Sequence, residues 1–167
     1  MIAIRQDAAP GEGVGLWLQG EIVSPNRMVY QDDPSYRMAN EPCPFCSVDN
    51  PERIFHSNGL VMALWDGFPV SPGHALVVPR RHVAGWFDAS LEEQAALMQG
   101  LDIARAAILE RYKPDGFNIG INVGEAAGQT VFHLHVHLIP RYNGDVPDPR
   151  GGVRHIVPAK ARYWEDP

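Results

Sequence analysis

The sequence has few cysteines, few basic residues and no long apolar run, and each shortage excludes a class of protein. Lys and Arg number 14 against 20 Asp and Glu, which gives a formal net charge of −6. A protein this acidic does not bind nucleic acid polymers through a broad basic surface. The apolar runs stay short of the roughly 18 residues that a membrane helix needs, so no membrane partner is expected.

The start of the chain and its overall composition indicate an ordinary globular protein. Residues 1–5 show no cationic segment leading into an apolar stretch, the pattern of a secretory signal, and a cytoplasmic location is therefore expected. Apolar residues make up 45% of the 167 positions, which suffices for a single packed core. We expect an N-terminal extension over residues 1–40, one domain over 41–142 and a C-terminal tail over 143–167.

Short apolar runs and turn residues predict an α+β fold. Residues 61–65 and 75–78 are typical of two strands of a hairpin, and residues 117–123 and 131–139 of two further strands. Ser90 and Glu93 form a capping box that begins a helix, and Lys113-Pro114 ends it. The fold class is therefore a largely antiparallel sheet with one main helix. The apolar positions of the helix are Leu91, Ala95, Met98, Leu101 and Ile108.

The two cysteines, Cys43 and Cys46, are separated by only two residues. This spacing is typical of half of a metal site or of a redox pair. A closed zinc site requires two further ligands, because zinc in such sites is tetrahedral.

Three histidines, His133, His135 and His137, alternate with apolar residues along the predicted strand 131–139. Alternation places the imidazoles on one face and the apolar side chains on the other. An amphipathic strand with no chemistry is the alternative, but histidine is a poor choice for solubility alone. Neighbouring side chains on one face of a strand lie about 7 Å apart. The three rings therefore cannot all contact one phosphorus atom, nor all bind one catalytic metal ion. The central ring, His135, suits a nucleophile held in one tautomer.

A glycine-bearing loop over residues 124–130 precedes the histidines. Its backbone can approach a ligand closely, and it ends in the hydrogen-bonding side chains of Gln129 and Thr130. The loop is a candidate phosphate cradle, although an ordinary strand connection would have the same composition.

The histidine strand, the preceding segment 127–132 and the upstream segment Pro72-Gly73-His74-Ala75-Leu76-Val77-Val78-Pro79 together resemble the histidine triad superfamily of nucleotide hydrolases and transferases. The resemblance runs from about residue 43 to residue 142, with three separate motifs in the family's order. It implies a compact α+β fold, a homodimer, and a nucleotide bound across the sheet and cleaved at its α-phosphate.

The resemblance also implies roles for individual residues. His135 takes the position of the histidine that attacks phosphorus, and His74 and His137 match the other two histidines at the phosphate. Asp66 matches a residue on the ribose hydroxyls. The remaining substrate contacts are expected from the phosphate loop and its surroundings, at Asn122, Gly128, Gln129 and Thr130.

The zinc-bearing branch of the family is the nearest match, so Cys43 and Cys46 are expected to share a structural Zn²⁺ with His82 and His133. His56 is a rival fourth ligand, although exposure at the start of a strand is its more ordinary fate. Two reduced thiols without metal are the other alternative.

The expected function is hydrolysis of dinucleoside polyphosphates such as diadenosine tetraphosphate through a nucleotidyl-histidine. The alternatives are a nucleoside phosphoramidase that uses the same His135, and a nucleotide sensor without turnover. Because the net charge is negative, a polyphosphate also needs local positive groups. We expect Arg150 or Arg154 to supply them, with Gly151-Gly152 folding the tail over the site.

Overall fold

The computed structural model describes residues 16–18, 21–23 and 43–164 of the chain. The chain divides into two compact units, Met1–Ala39 and Asn40–Pro167. In the first unit, strands β1 (Leu16–Leu18) and β2 (Glu21–Val23) form an antiparallel pair. Among the helices of the described residues, none is long and apolar enough to cross a membrane.

Over its described residues, 43–164, the second unit contains a five-stranded antiparallel sheet and one α-helix, α1 (Leu91–Arg111), which confirms the predicted α+β class. Its strands are β3 (Ile54–Ser57), β4 (Val61–Trp65), β5 (Ala75–Pro79), β6 (Gly116–Gly120) and β7 (Val136–Arg141). They lie in the order β3-β4-β5-β7-β6, and a short 3₁₀ turn lies between β6 and β7.

Strands β4 and β5 form the predicted hairpin, with Trp65 opposite Ala75 at the loop end. The loop between them closes through the backbone N–H of Asp66, which donates to the carbonyl of His74 over 3.0 Å. Two residues that are eight positions apart in the chain are thereby held side by side. The hairpin loop delivers both of them to the same edge of the site.

The capping box of α1 forms as predicted: the Ser90 hydroxyl accepts from the Glu93 N–H, and the Glu93 carboxylate accepts from the Ser90 N–H. The predicted apolar face is wrong in part, because Leu91 and Met98 are 84% and 43% exposed. Small residues decide which face packs on the sheet, since they let the helix approach it closely. The buried positions of α1 are Glu93, Ala96, Leu97, Gly100, Leu101, Ala104 and Ile108.

The core lies between α1 and one face of the sheet. Leu134, Val136 and Leu138, expected to pack inward, are buried there at 1% exposure or less. The opposite face carries a smaller apolar cluster centred on Leu64 and Leu76. Leu76 lies opposite His137, so this second cluster lies on the sheet beside the histidines.

Two strands differ from the predicted bounds, and the difference matters for the site. Strand β6 ends at Gly120 rather than residue 123, and β7 begins at Val136 rather than residue 131. The residues before Val136 leave the hydrogen-bonded sheet because they bond instead to the segment after β5. There the Leu134 N–H donates to the carbonyl of Val83. His137 alone of the three histidines therefore lies within the strand.

Candidate active site and metal-ligand cluster

The antiparallel register of β5 and β7 brings two of the predicted catalytic histidines together. His74 directly precedes β5, and His137 is the residue of β7 that pairs with Leu76 of β5. Nε2 of His74 is 3.1 Å from Nδ1 of His137, a hydrogen-bond distance. His135 completes the cluster, with its ring centroid 5.0 Å from that of His137.

The tautomer of His135 is set by the backbone. Its Nδ1 lies 2.8 Å from the carbonyl oxygen of His133, which can only accept, so Nδ1 carries the hydrogen. In the neutral ring, Nε2 then holds a free electron pair. The residue is 8% exposed, and its position next to the start of β7 holds the ring in place. This is the arrangement that a nucleophilic imidazole requires.

Burial keeps these histidines neutral. It lowers the pKa of His135, against the opposing effects of the hydrogen bond to His133 and the charge of Asp66. It also lowers the pKa of His74, where Asp66 again opposes it. For His137, burial and the neighbouring rings of His135 and His74 lower the pKa to about 4. At neutral pH, Nε2 of His135 is therefore available to attack an electrophile.

Asp66 lies against this cluster. Its Oδ2 is 3.3 Å from Nδ1 of His74, and its Oδ1 accepts a hydrogen bond of 2.8 Å from the N–H of Phe68. The Asp66 side chain is only 12% exposed. The backbone N–H of Val70 also lies 3.3 Å from Nδ1 of His74.

The glycine loop is shaped by the side chain of Gln129, whose contact with substrate remains a prediction. Its amide group donates to the carbonyls of Ala84 and Val131 and accepts from the N–H of Gly124. Gln129 is 4% exposed, so the amide is committed to holding the loop. Gly124 has φ of 81° with ψ of 161°, a conformation in which a side chain would be strained.

The other predicted cradle residues surround this loop. Gly128 is exposed and left-handed, with φ of 80°, Thr130 is exposed, and Asn122 is half-buried. Substrate contacts of these three residues remain predictions.

The four predicted zinc ligands come together in space. Their ligand atoms all lie within 4.8 Å of one another, and the described residues place His56 outside this group, half-buried in β3. Cys43 Sγ and Cys46 Sγ lie 3.3 Å and 3.5 Å from Nδ1 of His133. The sulfur of Cys46 is also 3.3 Å from Nδ1 of His82. These spacings approach the edge of about 3.6 Å that a tetrahedral Zn²⁺ with sulfur and nitrogen ligands has.

The surroundings of His133 fit a metal ligand. Its Nε2 lies 2.9 Å from the carbonyl of Pro79, so Nε2 carries the hydrogen and Nδ1 presents an electron pair to the two sulfurs. Burial, and then the adjacent Cys43, raise the pKa of the Cys46 thiol. A thiolate at this position therefore needs a nearby positive charge to stabilise it. The donor set and the tautomer therefore suit Zn²⁺.

One contact at the site was not expected from the sequence. Phe45 lies between the two cysteines and packs on both His133 and His135, with ring centroids 5.7 Å and 5.2 Å away. The only signal for it was its position inside the Cys43–Cys46 pair. Through Phe45, the ligand cluster touches the ring of the candidate nucleophile.

The two tail arginines that were expected to contact the substrate, Arg150 and Arg154, bind other residues of the tail. Arg154 donates to the carbonyl of Lys160 and lies over the ring of Tyr163. Arg150 pairs with Asp148 and lies over Trp164. Contact of Arg154 with substrate remains a prediction, and its guanidinium would have to leave these partners to make it.

The HIT domain family model matches residues 47–144, and the chain belongs to this family. Members of the family are typically nucleotide hydrolases or transferases. An uncharacterized HIT-like protein of Saccharolobus solfataricus is 38% identical over 126 residues, which cover 74% of this chain and 88% of that protein. The AP-4-A phosphorylase of Mycobacterium tuberculosis is 42% identical over 87 residues, 52% of this chain and 45% of that protein.

Solved structures agree with this assignment. A Zn-bound histidine triad family protein from Mycobacterium smegmatis is 36% identical with a TM-score of 0.55, covering 72% of this chain and 91% of that one. A HIT family member from Bacillus subtilis is 34% identical with a TM-score of 0.58, covering 63% and 77% of the two chains. The resemblance drawn from the three sequence motifs is confirmed.

Proposed function

We propose that the protein hydrolyses nucleoside 5′-phosphate derivatives at the α-phosphate through a covalent nucleotidyl-histidine on His135. The observation that carries this proposal is the bond from Nδ1–H of His135 to the His133 carbonyl, which leaves Nε2 free to attack. A nitrogen nucleophile divides one difficult displacement into two easier ones. Water then attacks the phosphorus and releases the nucleotide.

The neighbouring groups support the two displacements. Negative charge grows on the non-bridging oxygens in each step, and the N–H groups of loop 124–130 together with Asn122 are proposed to stabilise it. Nε2 of His137 is proposed to exchange a proton with the leaving group and then with water. His74 holds His137 in place through their 3.1 Å contact.

The proposed substrate is a dinucleoside polyphosphate such as diadenosine tetraphosphate. The 42% identity to an AP-4-A phosphorylase supports a substrate of this class. Phosphoramidates are the runner-up, because the same nucleophile could open a P–N bond. We further propose that the protein is a homodimer, which light scattering would show as twice the chain mass of 18.5 kDa.

We also propose a structural Zn²⁺ held by Cys43, Cys46, His82 and His133. When bound, the ion supplies four bonds that join the chain before β3, the segment after β5 and the segment before β7. A site closed by four protein ligands leaves no position for water or substrate. The cluster therefore positions the carbonyl of His133 and the ring of Phe45 without taking part in the chemistry.

A turnover screen tests the proposed function. The purified protein is incubated with diadenosine tetraphosphate and, separately, with adenosine 5′-phosphoramidate, and the products are separated by chromatography. Hydrolysis of the tetraphosphate gives AMP and ATP, whereas transfer to inorganic phosphate gives ADP and ATP. No turnover of either compound would overturn the proposal.

Loss of the nucleophile is the second arm of this test. His135→Asn is expected to lower kcat by about a thousandfold or more while nucleotide binding stays measurable, because the loop remains intact. The matched control is His155→Asn in the tail, which should keep wild-type turnover. Trapping of a radiolabelled nucleotidyl group on His135→Ala at the wild-type yield would exclude His135 as the nucleophile.

A further inference from the structure

Cys43 and Cys46 form a turn whose geometry brings their two thiols together even without a metal. The backbone N–H groups of Cys46 and Ser47 both donate to the carbonyl of Cys43 over 3.1 Å. The two sulfurs lie within 4.8 Å of each other, beside the same ring nitrogen of His133. No other cysteine occurs in the sequence, so a disulfide within one chain can join only this pair.

The two sulfurs differ in their access to solvent. Cys46 is exposed and Cys43 is half-buried, whereas His133 beside them is fully buried. A small oxidant in solution therefore reaches Cys46 first, and an oxidised sulfur that has a second thiol nearby reacts with it to form a disulfide. The Cα atoms of a disulfide lie less than about 7 Å apart. A turn that spans four residues meets this requirement.

The Cys43–Cys46 turn supports the ring of His135 in two ways. Its sulfurs lie 3.3 Å and 3.5 Å from Nδ1 of His133, whose carbonyl accepts the hydrogen bond of 2.8 Å from Nδ1 of His135. Phe45, which lies between the cysteines, packs on the rings of both histidines. Because an S–S bond is only about 2 Å long, closing it moves the sulfurs and the turn that carries Phe45. The ring of His135 would then lose part of the support that holds it.

We propose that Cys43 and Cys46 are a site of reversible oxidation, at which hydroperoxides join the two sulfurs in a disulfide that loosens His135 and slows turnover. The modification itself depends only on the two thiols, whereas its effect on turnover rests on the proposed function. Oxidation also removes two of the four ligands of the proposed Zn²⁺, so the ion would be released.

The oxidation proceeds in two steps. The sulfur of Cys46 attacks the terminal oxygen of the hydroperoxide, the O–O bond breaks, and the thiol proton goes to the departing oxygen, which leaves as water or an alcohol. The sulfur of Cys43 then attacks the sulfenic acid on Cys46, so that the S–S bond forms, the S–O bond breaks, and the Cys43 proton leaves with the hydroxide as water. Each sulfur has lost one electron and the hydroperoxide has gained two. Where the sulfurs begin as thiolates, both protons come from solvent.

Treatment of the purified protein with hydrogen peroxide tests this site. Reduced and oxidised samples are compared by intact mass, by alkylation of free thiols and by turnover of diadenosine tetraphosphate and adenosine 5′-phosphoramidate. We expect a mass lower by two hydrogens, no thiol left to alkylate, and a kcat lower by about tenfold, because a slightly misplaced nucleophile reacts much more slowly. Dithiothreitol should restore all three, since a dithiol reduces a disulfide by exchange but does not reverse further oxidation of sulfur.

The position of His135 is followed separately from activity. Oxidation is expected to shift the nitrogen NMR signals of the His135 ring, which are assigned by their absence from His135→Asn. This measurement keeps two failures apart. If the reduced wild-type protein turns over neither compound, the proposed function fails, and the His135 signals still decide whether the disulfide alters the surroundings of that ring.

Two variants complete the test. Cys46→Ser cannot form the disulfide, and peroxide should leave its kcat unchanged, whereas Ser47→Ala, at the next exposed position, is the matched control and should respond as the wild type does. If Cys46→Ser does not fold, the mass, alkylation and NMR measurements on the wild-type protein answer the question without it. Thiols that stay free in peroxide, a disulfide between two chains, or an internal disulfide that changes neither kcat nor the His135 signals would each overturn the proposal.

Discussion

At the scale of single residues, hydrogen bonds from the backbone orient the buried polar side chains of the candidate site. His135 is held by a backbone carbonyl, His133 by another, and Gln129 by three backbone groups. Each bond fixes a tautomer or a loop, and an unpaired group in the same place would be costly. If the proposed function is right, the atoms that react are therefore oriented before a substrate binds.

Glu93 provides a prediction at this scale. Its hydrogen bond with Arg81, aided by the capping box, lowers its pKa to about 2. A carboxyl whose pKa is lowered on folding stabilises the protein above its unfolded pKa of about 4.5, and this stability is lost as pH falls toward 2. The destabilisation caused by Glu93→Gln should therefore be about 2 kcal/mol larger at pH 7 than at pH 3.

Urea unfolding at the two pH values measures this difference. The Arg81 side chain is 57% exposed, so water screens part of its attraction to Glu93. The difference of about 2 kcal/mol is therefore the largest that we expect. Gln99→Ala, at an exposed position of α1 without a titratable group, is the control, and its effect should be the same at both pH values. An equal effect of Glu93→Gln at both pH values would contradict the assignment.

At the scale of elements, the helix approaches the sheet closely at Gly100. A Cβ added there would lie 2.6 Å from Cγ1 of Val77, a buried atom of β5. Ala is ordinarily the better helix residue, by about 1 kcal/mol. Overpacking here costs about 1–3 kcal/mol, so Gly100→Ala is expected to destabilise the protein despite the gain in helix propensity.

The free energy of unfolding from urea titration tests this contact. Gln99→Ala, on the exposed side of the same turn, is the matched control and should change stability by less than about 0.5 kcal/mol. If Gly100→Ala stabilised the protein, the close packing of α1 on β5 would be wrong.

At the scale of the whole molecule, the four-ligand cluster ties together segments that are far apart in the chain. Cys43 and His133 are 90 positions apart, yet their side chains lie 3.3 Å from each other. Because a metal bound to the folded state alone stabilises it, removal of the proposed Zn²⁺ should lower the stability of the whole domain.

We expect one zinc per chain by elemental analysis of protein made without chelator. Cys46→Ser should lose the metal and lower Tm by about 10 °C, which corresponds to roughly 3 kcal/mol at this chain length. Ser47→Ala, at the adjacent exposed position, should keep both. Absence of stoichiometric metal from the wild-type protein, or an unchanged Tm in Cys46→Ser, would refute the zinc proposal.

The sequence by itself determined what depends on neighbours along the chain. The capping box at Ser90 and the β4–β5 hairpin follow from backbone periods and local hydrogen bonds, and both are found in the structure. The class of protein followed from the same local patterns, because the motifs that define the family are short. The cysteine spacing predicted half of the candidate metal-ligand cluster in the same way.

Only the tertiary structure decided which distant groups meet. Strand register places His74 against His137, and the segment after β5 draws the residues before Val136 out of the ladder. Close approach at Gly100, rather than side-chain size, selected the buried face of α1. Such contacts join residues tens of positions apart, and their partners are settled by packing and by the need to satisfy buried polar groups, neither of which a local pattern contains.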